Sequence, residues 1–206
     1  MATTIGQAAA SPRGGRVRFS AAEFERMLDA GLFEGRHVEL LDGEVYEVTK
    51  NPPHDFAVGA VADALKAVLP AGYHVREEKS IASWGRWRPE PDVTVARGDR
   101  RRYEARRPAP GDLALVVEVC DTSAQDRTKK PKGYAAAGIP VYGILDLNRR
   151  LLEVHTLARG PEAAGRYDTP AILAEDESAE LVLDGAVVAR LPIADLLPRR
   201  PESPEP

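Results

Sequence analysis

What most constrains the fold of this chain is a strand–helix–strand pattern between Leu113 and Leu145. A short apolar run, "LALVVEVC", gives way to polar residues. A segment from Thr128 to Ala137 then reads as a helix, stopped by Gly138 and Pro140. A second apolar run, "VYGILDL", follows. Two strands joined through a helix are expected to be parallel neighbours, because a parallel pair needs a long crossover that a tight hairpin cannot supply. The expected product is an α/β fold, a central mixed sheet with helices on its faces.

Other segments fit around that unit. Ser20 and Glu23 have the spacing of a capping box, and Phe19 and Phe24 that of a hydrophobic staple. They predict a helix with Phe24, Met27 and Leu28 as its apolar stripe and Gly31 as its stop. In "HVELLDGEVYEV", Asp42-Gly43 between two β-rich runs predicts a hairpin. After Pro52-Pro53, the apolar spacing of Val58, Val61, Ala62, Leu65 and Val68 predicts a helix up to Pro70. Strands are expected near Tyr73 to Glu78, Asp92 to Val95 and Leu113 to Val119, and again in "VYGILDL" and "LLEVHTL". Tyr167 to Leu197 reads as β structure closed by a short helix at Ile193 to Leu197. Residues 1–18 and the Pro-rich 198–206 read as disordered tails around one domain, 19–197.

Composition narrows the function classes. The 206 residues suit one domain with a real core. No apolar run is long enough to span a bilayer, and no charged stretch precedes an apolar one at the start. The single cysteine, Cys120, excludes an internal disulfide. These points fit a cytoplasmic protein with no membrane partner. A net charge of −4 excludes a generally basic coat for nucleic acid. A nucleic-acid role needs a local patch, and "ARGDRRRYEARR" offers Arg97, Arg100, Arg101 and Arg102, with Arg106 and Arg107. The plain alternative is a solvated charged loop.

Two acids stand out. Asp92 opens a strand in "RPEPDVTV", and Glu118 sits near the end of the buried-looking "LALVVEV". A lone carboxylate in a buried strand is costly unless paired or bound to a cation. Two on adjacent strand ends would suit one Mg²⁺, a hard ion that takes oxygen ligands. Taken singly, the plainer reading is preferred: Asp92 opens a strand or bonds a turn, and Glu118 is a salt-bridge partner at a strand end. The pair, followed by a strand–helix–strand unit, is more specific.

The order and spacing of "VELLDGEV", "NPPHDFAVGAVADAL", "PEPDVTV", "LVVEVCDTS", "DRTKKPKGYAAAGIPVYGILD" and "LLEVHTL" resemble the bacterial "putative restriction endonuclease" family of the PD-(D/E)XK nuclease superfamily. The resemblance covers about Phe19 to Leu197. It implies a restriction-endonuclease-like sheet and a Mg²⁺-dependent endonuclease acting on DNA, with Mn²⁺ as a substitute and a homodimer as the assembly. Asp92, preceded by Pro91, matches the aspartate of the signature, and Glu118 the second acid. Both would bind the metal, with the Val119 carbonyl as a third ligand. Glu39 matches an earlier glutamate beside the metal centre, and His54 a histidine that reads equally well as a plain helix-start residue.

The signature lysine falls two positions after the second acid, where this chain has Cys120. The resemblance moves the lysine onto the next helix. The pattern there that matches the family is Asp126, Lys130 and Tyr134, four residues apart and so on one helical face, and by that match to Tyr134 and the Gly138 stop the resemblance makes Lys130 the candidate. Pro131 disfavours a helical residue before it, so the expected helix starts with Thr128 as cap and Pro131 as its third residue. Lys129 and Lys132 stay open as alternatives. The basic loop, and "WGRWR" from Trp84 to Arg88, would hold the nucleic-acid backbone, though the tryptophans read equally as packing residues. The other function classes are a catalytically idle nuclease fold used for binding, and a small-molecule or RNA phosphodiesterase.

Overall fold

A computed structural model describes residues 15–121, 123–159 and 165–200. Of the two expected tails, 1–14 and 201–206 lie outside the described residues. The remainder is attached to the domain: Arg18 pairs with Asp42, and Arg200 with Glu175 at 2.7 Å.

Helix α1 (Ala21–Asp29) starts as its sequence dictates. The Ser20 hydroxyl accepts from the Glu23 N–H, and the Ser20 N–H donates to the Glu23 carboxylate at 2.8 Å. It stops at Gly31, whose φ of +75° lets the Gly31 and Leu32 amides turn back onto Leu28 and Met27. The hairpin β1 (Val38–Leu41) and β2 (Glu44–Glu47) turns on Asp42 and Gly43, both at positive φ, as a tight primed turn requires. Asn51 caps α2 (Pro52–Val68), which opens on two prolines that fit a first turn.

The main sheet has six strands in the order β3 (Tyr73–Glu77), β4 (Val93–Arg97), β5 (Leu113–Cys120), β6 (Val141–Asp146), β7 (Leu151–Thr156) and β8 (Ala171–Ala174). The β5–β6 pair is parallel and the other four pairs are antiparallel. The expected crossover is therefore present. One sheet face packs Val93, Leu115 and Val117 against Val61 and Leu65 of α2. The same cluster takes in the hairpin β9 (Ser178–Leu183) and β10 (Ala186–Pro192). The other face packs Val116 and Cys120 against Tyr134, Tyr142 and Ile144. All eight residues of β5 are buried. Each such aliphatic side chain contributes about 1.5–3 kcal/mol on burial, which fixes the strand that carries Glu118.

Two expectations need correction. The helix read as 128–137 is two pieces, α3 (Gln125–Thr128) and α4 (Lys130–Ala136), broken at Lys129. Proline has no N–H to continue the ladder and crowds the carbonyl four residues back, so α4 begins afresh at Lys130 with Pro131 as its second residue. Thr128 is no cap: its hydroxyl donates back to the Ala124 carbonyl at 2.8 Å. The closing helix is a 3₁₀ turn, Ile193–Leu196.

Candidate active site

β5 ends and β4 begins at the same edge of the sheet. Val93 pairs with Val117, so continuing the register sets Asp92 opposite Glu118, on the same face. Cross-strand side chains in such a pair stand about 5 Å apart. The Val119 N–H donates to Asp92 Oδ2 at 2.7 Å. A strand residue presents its N–H and C=O to the same neighbour, so the Val119 carbonyl faces the Asp92 side too. Glu39, His54, Asp92, Glu118, Asp126 and Lys130 all line one cavity of about 270 Å³.

Lys130 stands at the centre of this group. Its Nζ lies 3.1 Å from Glu118 Oε2, 3.1 Å from Asp126 Oδ1 and 3.2 Å from Glu39 Oε1. All four residues are buried. The restart of α4 aims Lys130 inward, and the hairpin brings Glu39 over it. Lys129 instead pairs with Glu44 at 2.6 Å and lies over the Tyr46 ring, while Lys132 lines a different hollow. Tyr134, one turn after Lys130, donates to Glu118 Oε1 at 2.8 Å and fixes that carboxylate from below. Tyr142 holds the Asp126 carbonyl at 2.8 Å.

The charges do not balance. Burial, then repulsion from Asp92, Asp126 and Glu39, push the Glu118 carboxyl well above the usual range despite Lys130. Burial likewise raises Glu39. Burial opposes the Lys130 ammonium, but Glu118, Glu39 and Asp126 outweigh it and keep the amine protonated. Burial also works against a charged Asp92, yet the neighbouring His54 ring, Lys130 and the Val119 N–H together hold it below its usual value. Four buried carboxylates thus face one ammonium, and Glu39 Oε2 has no hydrogen-bond partner.

This is a donor set that fits a divalent cation. His54 Nε2 is 3.4 Å from Asp92 Oδ2, longer than a good N–H···O bond. The ligand atoms of His54, Asp92 and Glu78 lie within 4.8 Å of one another. Two ligands about 2.1 Å from one ion are themselves about 3–3.4 Å apart. Glu78 was not singled out in the sequence. It follows β3, at φ +47°, and its amide donates to the Asp92 carbonyl at 2.8 Å; no local pattern marks it.

Cys120 is a buried packing residue. Burial pushes its thiol up to about 11. Where the signature would put a lysine, Arg127 brings the positive charge, 3.2 Å from the sulfur and bonded to Asp146 and Glu153.

The basic loop is not assembled around these acids. Arg97 ends β4, five residues from Asp92, which is about 17 Å of extended chain. Its guanidinium binds Asp184 and the Gly111 and Leu113 carbonyls. Arg102 and Arg106 face Asp112, and Arg107 faces Glu25. Arg100 and Arg101 are exposed. Trp84 and Trp87 stack on each other, and the Trp87 ring covers Gly133 of α4, so Trp87 packs.

Comparison with known proteins agrees with this architecture. The family model Uma2, described as "Putative restriction endonuclease", matches residues 21–193. A crystal structure described as a putative nuclease belonging to DUF820, from Anabaena variabilis, superposes with a TM-score of 0.63 and 16% identity. The match covers 82% of this chain and 96% of that one. At that identity the likeness concerns the fold. No curated protein matches. No helix among the described residues is long and apolar enough to cross a membrane.

Proposed function

From the premise that this chain belongs to the Uma2 family of restriction-endonuclease-like proteins, we propose that it is a Mg²⁺-dependent endonuclease hydrolysing DNA phosphodiester bonds. We read it as a cytoplasmic homodimer whose two centres address two strands. The observation that carries the reading is the position of Lys130. A lysine from the helix after the acid strand reaches Glu118, Glu39 and Asp126 together, 3.1–3.2 Å from each.

Asp92, Glu118 and the Val119 carbonyl would be the oxygen donors for Mg²⁺, an ion that takes oxygen ligands and keeps several waters. His54 and Glu78, whose ligand atoms cluster with that of Asp92, would extend the set, and an imidazole donor suits Mn²⁺ as a substitute. The bound ion would supply Lewis-acid polarisation of a phosphoryl oxygen and a bound water of lowered pKa.

The chain's own groups do the rest. Tyr134 and the Val119 N–H fix the orientations of Glu118 and Asp92. The Lys130 ammonium, kept protonated by its three carboxylates, is a fixed positive charge beside the scissile group. There it offsets charge developing on the phosphate and orients an attacking water. Glu39 and Asp126 hold that ammonium in place.

The test is cleavage of plasmid DNA by purified protein with Mg²⁺, Mn²⁺ or EDTA. Cleavage is expected with either metal and not with EDTA. Asp92→Ala and Glu118→Ala should abolish it, and Lys130→Ala should reduce it by at least about a hundredfold, the scale of losing one charge-stabilising donor. Equal cleavage by wild type and the Asp92→Ala protein would sink the assignment.

A further inference from the structure

A second cavity, of about 880 Å³, lies along β3, the terminal strand of the sheet. Lys66, Arg76, Lys79, Arg100 and Arg101 line it. Its acids are Glu77 and Glu104, and Glu77 is already held by Lys66 at 2.7 Å. Among the described residues no carboxylate pairs with Arg76, Lys79, Arg100 or Arg101. Arg76 Nε is buried without a hydrogen-bond partner, in the lining of this cavity. Burial pulls the Arg76 guanidinium below its usual range. A buried donor with no acceptor carries its full desolvation penalty, and an oxyanion with several lone pairs removes it through charge-assisted bonds.

The cleft is built rather than incidental. Asp99 caps the turn that carries Arg100 and Arg101, accepting from the Arg102 N–H at 3.1 Å. Tyr103, at the end of that turn, is buried, with its ring 5.3 Å from His74. The two arginines therefore stand on an anchored turn.

The cleft is also aligned with the acidic centre. Arg76 and His74 pair with Thr94 and Ala96, and strand side chains alternate, so they share the face of Asp92. Glu78 pairs with Asp92 through its amide. Arg76 is thus one pleat repeat, about 7 Å, from the row that holds Asp92. Arg100 and Arg101 continue the line beyond it.

We propose that this cleft binds the phosphodiester backbone of nucleic acid, forming a track that leads away from the Asp92–Glu118 centre along β3. The sequence run of arginines divides accordingly: Arg97, Arg102, Arg106 and Arg107 serve internal acids, while Arg100 and Arg101 join Arg76 and Lys79 from a different segment. The identity of the polymer rests on the nuclease reading; the anion site rests on its own geometry.

The experiment is fluorescence anisotropy of a labelled DNA duplex, in EDTA so that nothing is cut, over a range of KCl concentrations. Each phosphate contact contributes about 0.9 to the slope of log affinity against log salt. The Arg100→Ala/Arg101→Ala protein should bind about tenfold more weakly, with a slope shallower by about two; Arg76→Ala should lower it by about one. Arg106→Ala should change neither. Arg100 and Arg101 are exposed, so the double variant leaves the core intact. Wild-type affinity and slope in that variant would overturn the cleft, as would a wild type that binds no duplex. A wild type that binds through these arginines but cuts nothing with Mg²⁺ or Mn²⁺ upholds the cleft and sinks the nuclease reading. Cleavage by wild type with unchanged binding in both arginine variants does the reverse.

Discussion

Glu118 is a carboxyl group in a place that disfavours its charge. Burial is the largest cause, and Asp92, Asp126 and Glu39 add to it, while Lys130 relieves only part. An acid whose folded pKa lies above its unfolded value, about 4.3, binds its proton more tightly when folded. Stability from such a group is present at low pH and is lost as pH rises from about 4.3 towards the raised value. Asp92 runs the other way: its pKa is lowered, so it adds stability above about 3.9 that is lost as pH falls. Glu118→Gln keeps the shape and removes the charge. In EDTA, its Tm relative to wild type, followed by circular dichroism, should rise as pH increases above about 4.3 and level off once the raised pKa is passed. A difference independent of pH would mean that Glu118 is not strained by its charge. The sequence pointed to Asp92, Glu118, Glu39 and Lys130 as candidates because each sits in a local motif. It was silent on Glu78 and Arg76, which acquire their positions from strand register.

At the scale of elements, α4 shows how local preference yields to packing. Gly133 lies inside a helix, where alanine is favoured by about 1 kcal/mol. A Cβ there would overlap the indole of Trp87, which is held by its stack on Trp84. Overpacking of this kind costs about 1–3 kcal/mol, and because the ring cannot swing freely the packing term should win. Gly133→Ala should therefore lower the urea midpoint, with a net loss of up to about 2 kcal/mol; a gain would show that Trp87 yields. The start of α1, the Asp42-Gly43 turn and the β5–β6 crossover were legible because each depends on a few adjacent residues. The break at Lys129 was only half legible. Pro131 predicts an interruption, but the extra turn of α3 is held by the Tyr142 hydroxyl on the Asp126 carbonyl, from a strand 16 residues away.

At the scale of the whole molecule, the acidic cavity and the fold are linked energetically. Four buried carboxylates around one ammonium oppose folding, and a cation that binds only the folded state shifts the equilibrium towards it. At a free concentration of a hundred times Kd the gain is about 2.7 kcal/mol. Adding Mg²⁺ or Mn²⁺ to the metal-free protein should raise its Tm by several degrees, measured by scanning calorimetry, and Glu118→Gln should remove most of the rise. An unchanged Tm with saturating metal would contradict the metal centre. By itself the sequence determined the order of the elements, the parallel crossover and the acids at strand ends, because capping, turn chemistry and apolar periodicity act over a few residues. Only the tertiary structure decided which lysine enters the cavity, that Cys120 is a packed thiol beside Arg127, and that the arginine run divides between internal acids and a cleft completed by Arg76 and Lys79. Those outcomes depend on which strands become neighbours and in what register, and side-chain charge meets its partner only after that pairing is made.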